Sequence, residues 1–176
     1  MKSSPIATRL ATTDDAEEIR YIGAQVFTTT YGREFPPHDL QVYLGDNYSL
    51  TAITDTLLDS KRSTIVAVDD KSKILGFALL TRGSSDHCID QYEKKIEVQR
   101  VYVSTEHHGK GVGKLLLQEA DVLAKKEGLE YIWLGVWEEG HRAQKVYGAA
   151  GYKKAGEHGF PVGGTVHNDF IMIKEL

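Results

Sequence analysis

The sequence predicts an α+β fold, a mixed central β-sheet flanked by helices. Three observations predict it. Apolar residues recur with a helical period before residue 60 and with a strand-like pattern after it. The elements then follow one another as strand, helices, three strands, helix, strand, helix and two strands, with no repeat or low-complexity tract. A strand over 96–104 also runs through a glycine-rich turn straight into a helix over 112–127.

Each element has its own signal. "IATRLA" (6–11) is a short strand, and Thr13 or Asp14 can cap the helix that follows, with Glu17 and Glu18 in its first turn. Ile19, Ile22, Val26 and Phe27 make one face of that helix. In "FPPHDLQVYLGDNYS" (35–49) the proline pair breaks the chain, a short helix follows, and Gly45–Asn47 predicts a turn. A helix over 49–60 would point Leu50, Ile53, Leu57 and Leu58 inward. "STIVAVD" (63–69) and "ILGFALLT" (74–81) form a hairpin, and the polar 82–95 reads as a loop. "IEVQRVYVS" (96–104) is the next strand. Val112, Leu115, Leu116, Ala120, Leu123 and Ala124 repeat at 3.6 spacing up to Gly128. "YIWLGVW" (131–137) is a buried strand, 140–151 a short helix, and 152–176 two strands around a turn. One domain over 1–176, with its core in about 6–174, is the expectation.

Composition narrows the function. Of 176 residues, 41% are hydrophobic and 26% charged, ordinary globular values. Lys and Arg number 21 against 25 Asp and Glu, a formal charge of −4, which suits a cationic ligand better than nucleic acid. Cys88 is the single cysteine, so no intrachain disulfide can form and a cytoplasmic setting is expected. Nothing approaches the 18 apolar residues that would mark a membrane span. His107 and His108 are adjacent while His87 and Cys88 are distant in sequence, so metal-site spacing is absent and no metal is expected. "DHC" (86–88) reads as polar surface.

The chemistry concentrates in "EHHGKGVGKLLL" (106–117). Gly109, Gly111 and Gly113 stand where a helix must begin, although glycine costs roughly 0.5–1 kcal/mol against alanine inside a helix. Glycines there let backbone approach a ligand, and a helix start offers unpaired N–H groups to an anion. Lys110 and Lys114 add positive charge, so a phosphate or pyrophosphate is the physical answer. The competing reading is a helix entrance that binds nothing. Neither familiar phosphate loop fits: a Walker spacing counted back from Gly113–Lys114 lands on His108, and G-x-G-x-G replaces G-x-G-x-x-G.

"VQRVYVSTEHHGKGVGKLLLQEA" (98–120) resembles the acetyl-CoA-binding segment of the GCN5-related N-acetyltransferases, Arg/Gln-x-x-Gly-x-Gly/Ala after an apolar strand. His108 takes the Gln/Arg position, and Gly111 and Gly113 match. "RAQKVYGAAGYKKAG" (142–156) resembles the family's Ala-x-x-x-Tyr-x-x-x-Gly-Tyr/Phe segment. Within the family, "FPPHDLQVYLGDNYS" and the stretch from "WLGVW" to "IMIKEL" resemble the bacterial spermidine/spermine acetyltransferase group.

The resemblance implies the acyl-CoA N-acyltransferase fold, acetyl-CoA as cosubstrate and a small-molecule amine, such as a polyamine, as acceptor. A homodimer is compatible with it. It places the CoA diphosphate at His108, Gly109, Lys110, Gly111, Val112, Gly113 and Lys114, and the pantetheine arm along Val101 and Val103. It puts Tyr147 beside the thiol sulfur as the acid that protonates the leaving thiolate. The plainer fate of Tyr147 is an amphipathic tyrosine packed on a helix face. Glu97 is the candidate base, expected by strand alternation on the side of Val101 and Val103, and its alternative is a solvated strand-end glutamate. Tyr31, Glu34, Trp137 and Glu138 are assigned to the acceptor side. Gly140 departs from the Asn usual there, and His141 is the candidate substitute. A peptide or protein N-acetyltransferase and a non-catalytic acyl-CoA-binding protein are the other readings.

Overall fold

The computed structural model describes residues 5–162 and 165–176. In chain order the elements are β1 (Ala7–Leu10), α1 (Ala16–Tyr31), α2 (Pro37–Tyr48), α3 (Leu50–Leu58), β2 (Arg62–Val68) and β3 (Ile74–Arg82). Then come β4 (Lys95–Val103), α4 (Val112–Lys126), β5 (Tyr131–Trp137), α5 (His141–Ala149), β6 (Lys153–Val162) and β7 (Thr165–Glu175). The described strands form a seven-stranded sheet in the order β1-β2-β3-β4-β5-β7-β6. Every pairing is antiparallel except β4 with β5. This is the mixed sheet flanked by helices that the sequence predicts. The turn between β6 and β7 lies outside the described residues.

The period-2 alternation of the strands feeds two layers. Ile65, Ala67, Ala78, Leu80, Ile96, Val98, Ile132 and Leu134 pack against Leu116, Leu117, Ala120 and Ala124 of α4. Val66, Val68, Ile74 and Phe77 point to the other side, against Ile19, Ile22 and Phe27 of α1, Tyr48 of α2 and Ile53 of α3. Three local expectations change. The first helix is entered through a 3-10 turn at Thr13–Asp15, and Asp15 rather than Asp14 accepts the Thr12 backbone N–H, at 2.8 Å. Gly45–Asn47 is not a turn: α2 runs on to Tyr48, because burying that ring among Phe27, Phe77 and Tyr102 outweighs one helical glycine. Leu50 and Leu58 are exposed at either end of α3, where only Ile53 is fully buried.

Two irregularities of β4 build the site. Leu79 pairs with Arg100 but Leu80 pairs with Val98, so Gln99 is an extra residue, a β-bulge. Alternation therefore reverses at Gln99, and Ile96, Val98, Val101 and Val103 all face α4. Glu97 consequently faces the opposite side from Val101 and Val103, which corrects the expectation from simple alternation. It shares that side with Arg100 and Tyr102. The second irregularity is a split. The parallel pairing of β4 with β5 extends only from Lys95–Tyr131 to Glu97–Trp133. Beyond Glu97, β4 has backbone groups on an edge that no strand occupies, and the opening exposes both faces of the sheet.

Candidate functional site

One cavity of about 660 Å³ lies at the α4 entrance, and a second of about 570 Å³ lies across the sheet under α1. The first is lined by Val101, Val103, His108, Gly109, Gly111, Val112, Gly113, Lys114 and Tyr147. These are the residues assigned to the cofactor, except Lys110, which does not line it. The loop needs its glycines for conformation more than for space. Gly109 and Gly111 have φ of +77° and +83°, and a Cβ on either would meet nothing within 4 Å. Gly111 caps α4 in this left-handed state, so the first helical N–H groups have no side-chain cap. His108 folds back with Nε2 2.9 Å from the Val103 carbonyl, tying the loop to β4. Arg142, His107 and His141 also line this cavity, together with one carboxylate, Glu139, which lies 3.8 Å from the His141 ring. Burial, together with Lys110 and Lys73, pushes His107 below its ordinary pKa. The permanent cations of this lining, Lys114 and Arg142, together with the open helix N-terminus, suit a diphosphate.

The second cavity is acidic and aromatic. Glu97, Asp86 and Asp169 line it with Tyr31, Tyr43, Tyr102 and Trp133, against the cations Arg100 and, when protonated, His158. Arg100 is partly spoken for, donating from Nη2 to Asn47 at 3.0 Å and lying 4.7 Å over the Tyr48 ring. Burial raises the Glu97 carboxyl, against Ser84, Arg62 and Arg100, which favour its charge. Burial also pushes Asp169 up to about 6 against the lowering effect of His158 and His167, with Glu138 adding to the rise. The two cavities meet. Val26, Thr30, Val101, Ala143 and Tyr147 line both. At that junction burial, with Tyr102 nearby, pushes the Tyr147 phenol up to about 12, so it stays protonated at neutral pH.

The acceptor-side residues divide. Tyr31 lines the acidic cavity, and Trp137 lines the first cavity with its ring centroid 5.4 Å from that of Tyr31. Glu34 is exposed beyond the end of α1 and lines neither cavity. Glu138 also lines neither; its Oε2 accepts from Asn168 Nδ2 at 3.3 Å. Neither side chain lines a cavity, although Glu138 stands near enough to Asp169 to help raise its carboxyl. At the α5 entrance a Cβ on Gly140 would stand 3.0 Å from the Trp137 carbonyl. The side-chain amide there comes from Gln144, whose Nε2 donates to the carbonyls of Trp137 and Glu138 at 2.9 and 2.8 Å.

Sequence reasoning missed Asp86, Arg100, His158 and Asp169. Asp86 and His158 lie 72 residues apart by number, in a loop and an edge strand, and only the sheet order brings them together. Asp169 carried the better signal, a carboxylate inside an apolar strand, "NDFIMI". Among the described residues no group of three His, Cys, Asp or Glu side chains could hold a metal ion. No described helix is long and apolar enough to cross a membrane.

Known proteins of similar sequence and shape agree with this architecture. The chain is 28% identical over 162 residues to an uncharacterized N-acetyltransferase of Mycobacterium tuberculosis, covering 92% of this chain and 98% of that one. It is 25% identical over 173 residues to the spermidine N(1)-acetyltransferase of Thermoplasma acidophilum, covering 97% of each. The crystal structure of PaiA N-acetyltransferase from Thermoplasma acidophilum in complex with coenzyme A superposes with a TM-score of 0.78 at 23% identity, over 98% of this chain and 99% of that one. Residues 24–152, from the middle of α1 to Tyr152 beyond α5, match the acetyltransferase (GNAT) family, and the chain belongs to that family.

Proposed function

We propose that the protein moves an acetyl group from acetyl-CoA to a primary amine by direct attack while both are bound, with a polyamine such as spermidine or spermine as the acceptor class. The observation that carries this reading is the junction: Tyr147 lines the cationic cavity at the α4 entrance and the acidic cavity under α1 alike. CoA enters from the first side, its diphosphate on the N–H groups of 108–114 and beside Lys114. The free edge of β4 at Val101 and Val103 offers backbone partners to the pantetheine arm. The amine enters from the second side, where Glu97 and Asp169 offer carboxylates and Tyr31 a ring face to a cation. Its nitrogen forms the new C–N bond as the C–S bond breaks, the Tyr147 hydroxyl protonates the departing sulfur, and the proton the nitrogen sheds as the amide forms restores the phenol. Similarity to a spermidine acetyltransferase supports the polyamine as the acceptor.

The test is release of free CoA from acetyl-CoA across polyamines, amino acids, small aromatic amines and peptides with free N-termini. Spermidine or spermine should give the highest kcat/KM. Added salt should raise KM for spermidine more than for an amine with a neutral tail, since it screens the attraction of several charges. Preference for peptides would replace the polyamine reading with a protein-modifying one.

A further inference from the structure

The acidic cavity contains a chain of side chains that starts at Asp169, one of the carboxylates offered to the acceptor, and leads to the surface. Asp169 on β7 stands directly opposite His158 on β6, and such cross-strand neighbours bring their Cβ atoms to about 5 Å on one face. His158 Nδ1 lies 2.7 Å from Oδ2 of Asp86. All three line the cavity, yet they meet water differently. The Asp86 side chain is only 6% exposed, and its Oδ1 accepts the Cys88 backbone N–H at 3.1 Å. Burial opposes its charge, but the Cys88 N–H and the His87 and His158 imidazoles outweigh this and hold the carboxyl below its usual range. The His158 side chain is 52% exposed. One imidazole thus has a fixed carboxylate on Nδ1, a second carboxylate as its cross-strand neighbour, and access to bulk water. β5 leaves room for this arrangement: Gly135 puts no side chain on the cavity floor, where its Cβ would stand 3.4 Å from Asp169 Oδ2.

Building on the acetyl-transfer reading, we propose that Asp169, His158 and Asp86 form the route by which the acceptor ammonium loses its proton to solvent. An N–H bond of the ammonium breaks and an O–H bond forms on Asp169, freeing the nitrogen electron pair for attack. The Asp169 and His158 side chains form no direct hydrogen bond, so that proton passes through one bridging water. The water takes it from Asp169 and gives one of its own to form an N–H bond at Nε2 of His158. The imidazolium releases its proton to water, and Asp169 is again ionised. Asp86 is the positioning residue. Held at Nδ1, it keeps the neutral ring in the tautomer whose Nε2 carries the lone pair. Asp169 is faced by Glu138 from the loop after β5, His158 from β6, His167 from β7, Tyr31 from α1, Tyr43 from α2 and Tyr102 from β4. A carboxyl near 6 rather than near 4 is about a hundredfold better matched to an amine proton while remaining ionised at neutral pH.

The test compares kcat/KM against pH for the wild type, Asp169→Asn, His158→Gln and Glu97→Gln, each first shown to bind acetyl-CoA calorimetrically within threefold of the wild type. Asp169→Asn should lower kcat by roughly a hundredfold or more and abolish the acidic limb near pH 6. His158→Gln should lose about tenfold in kcat, with the rate restored in proportion to added imidazole, which a purely structural role would not produce. An active wild type whose acidic limb survives in Asp169→Asn, or disappears in Glu97→Gln instead, overturns the relay and leaves the transferase reading intact. A wild type that turns over no amine overturns both.

Discussion

Burial raises the Asp169 carboxyl to about 6 from an ordinary 3.8, so at neutral pH the folded protein keeps a charge where the surroundings disfavour it. Between these two values the folded chain binds more protons than the unfolded chain, and stability falls as pH rises through the window. Two units correspond to about 3 kcal/mol, and solvent screening at this partly exposed carboxyl reduces this to about 1–2 kcal/mol. Asp169→Asn should therefore raise Tm at pH 8 and change it little at pH 4. An equal shift at both pH values would mean that the charge is not the cause. The same substitution is expected to slow turnover, the usual opposition between stability and a polar site.

At the scale of elements, the entrance to α4 depends on a backbone that only glycine adopts without strain. Gly111→Val places a β-branched residue at φ +83°, a conformation costing about 1–3 kcal/mol. Acetyl-CoA binding measured by calorimetry should weaken at least tenfold while the circular dichroism spectrum stays native. Unchanged affinity in the folded variant would place the diphosphate elsewhere. This loop was legible in the sequence because three glycines at a helix start violate local propensity, and such a violation needs a cause. The strands and α4 were legible from their periods for the complementary reason, that the core follows them. The bulge at Gln99 was not. Nothing in "IEVQRVYVS" distinguishes an extra residue from regular alternation, and the register is decided by the partner strand. The facing of Glu97 was lost with it. Leu50 and Leu58 misled for a similar reason, since a helix of nine residues with its ends in solvent buries only its middle.

At the scale of the whole molecule, the sheet divides two kinds of chemistry and the split beyond Glu97 joins them. The cationic rim belongs to the α4 and α5 entrances, the carboxylates to β4, β7 and the loop before β4, and Tyr147 of α5 stands where the two meet. The formal charge of −4 pointed toward a cationic ligand, but only the sheet order concentrates Asp86, Glu97 and Asp169 around one cavity. The central claim is that acetyl transfer happens at this junction with Tyr147 as the acid. Tyr147→Phe keeps the ring beside Tyr152 and removes only the hydroxyl, so kcat and the acetyl-CoA Kd, measured on the same folded variant, test it most directly. The phenol matters once negative charge develops on sulfur, so kcat should fall by roughly 10²–10⁴ while Kd moves less than threefold. Full activity in the folded phenylalanine variant would contradict the claim.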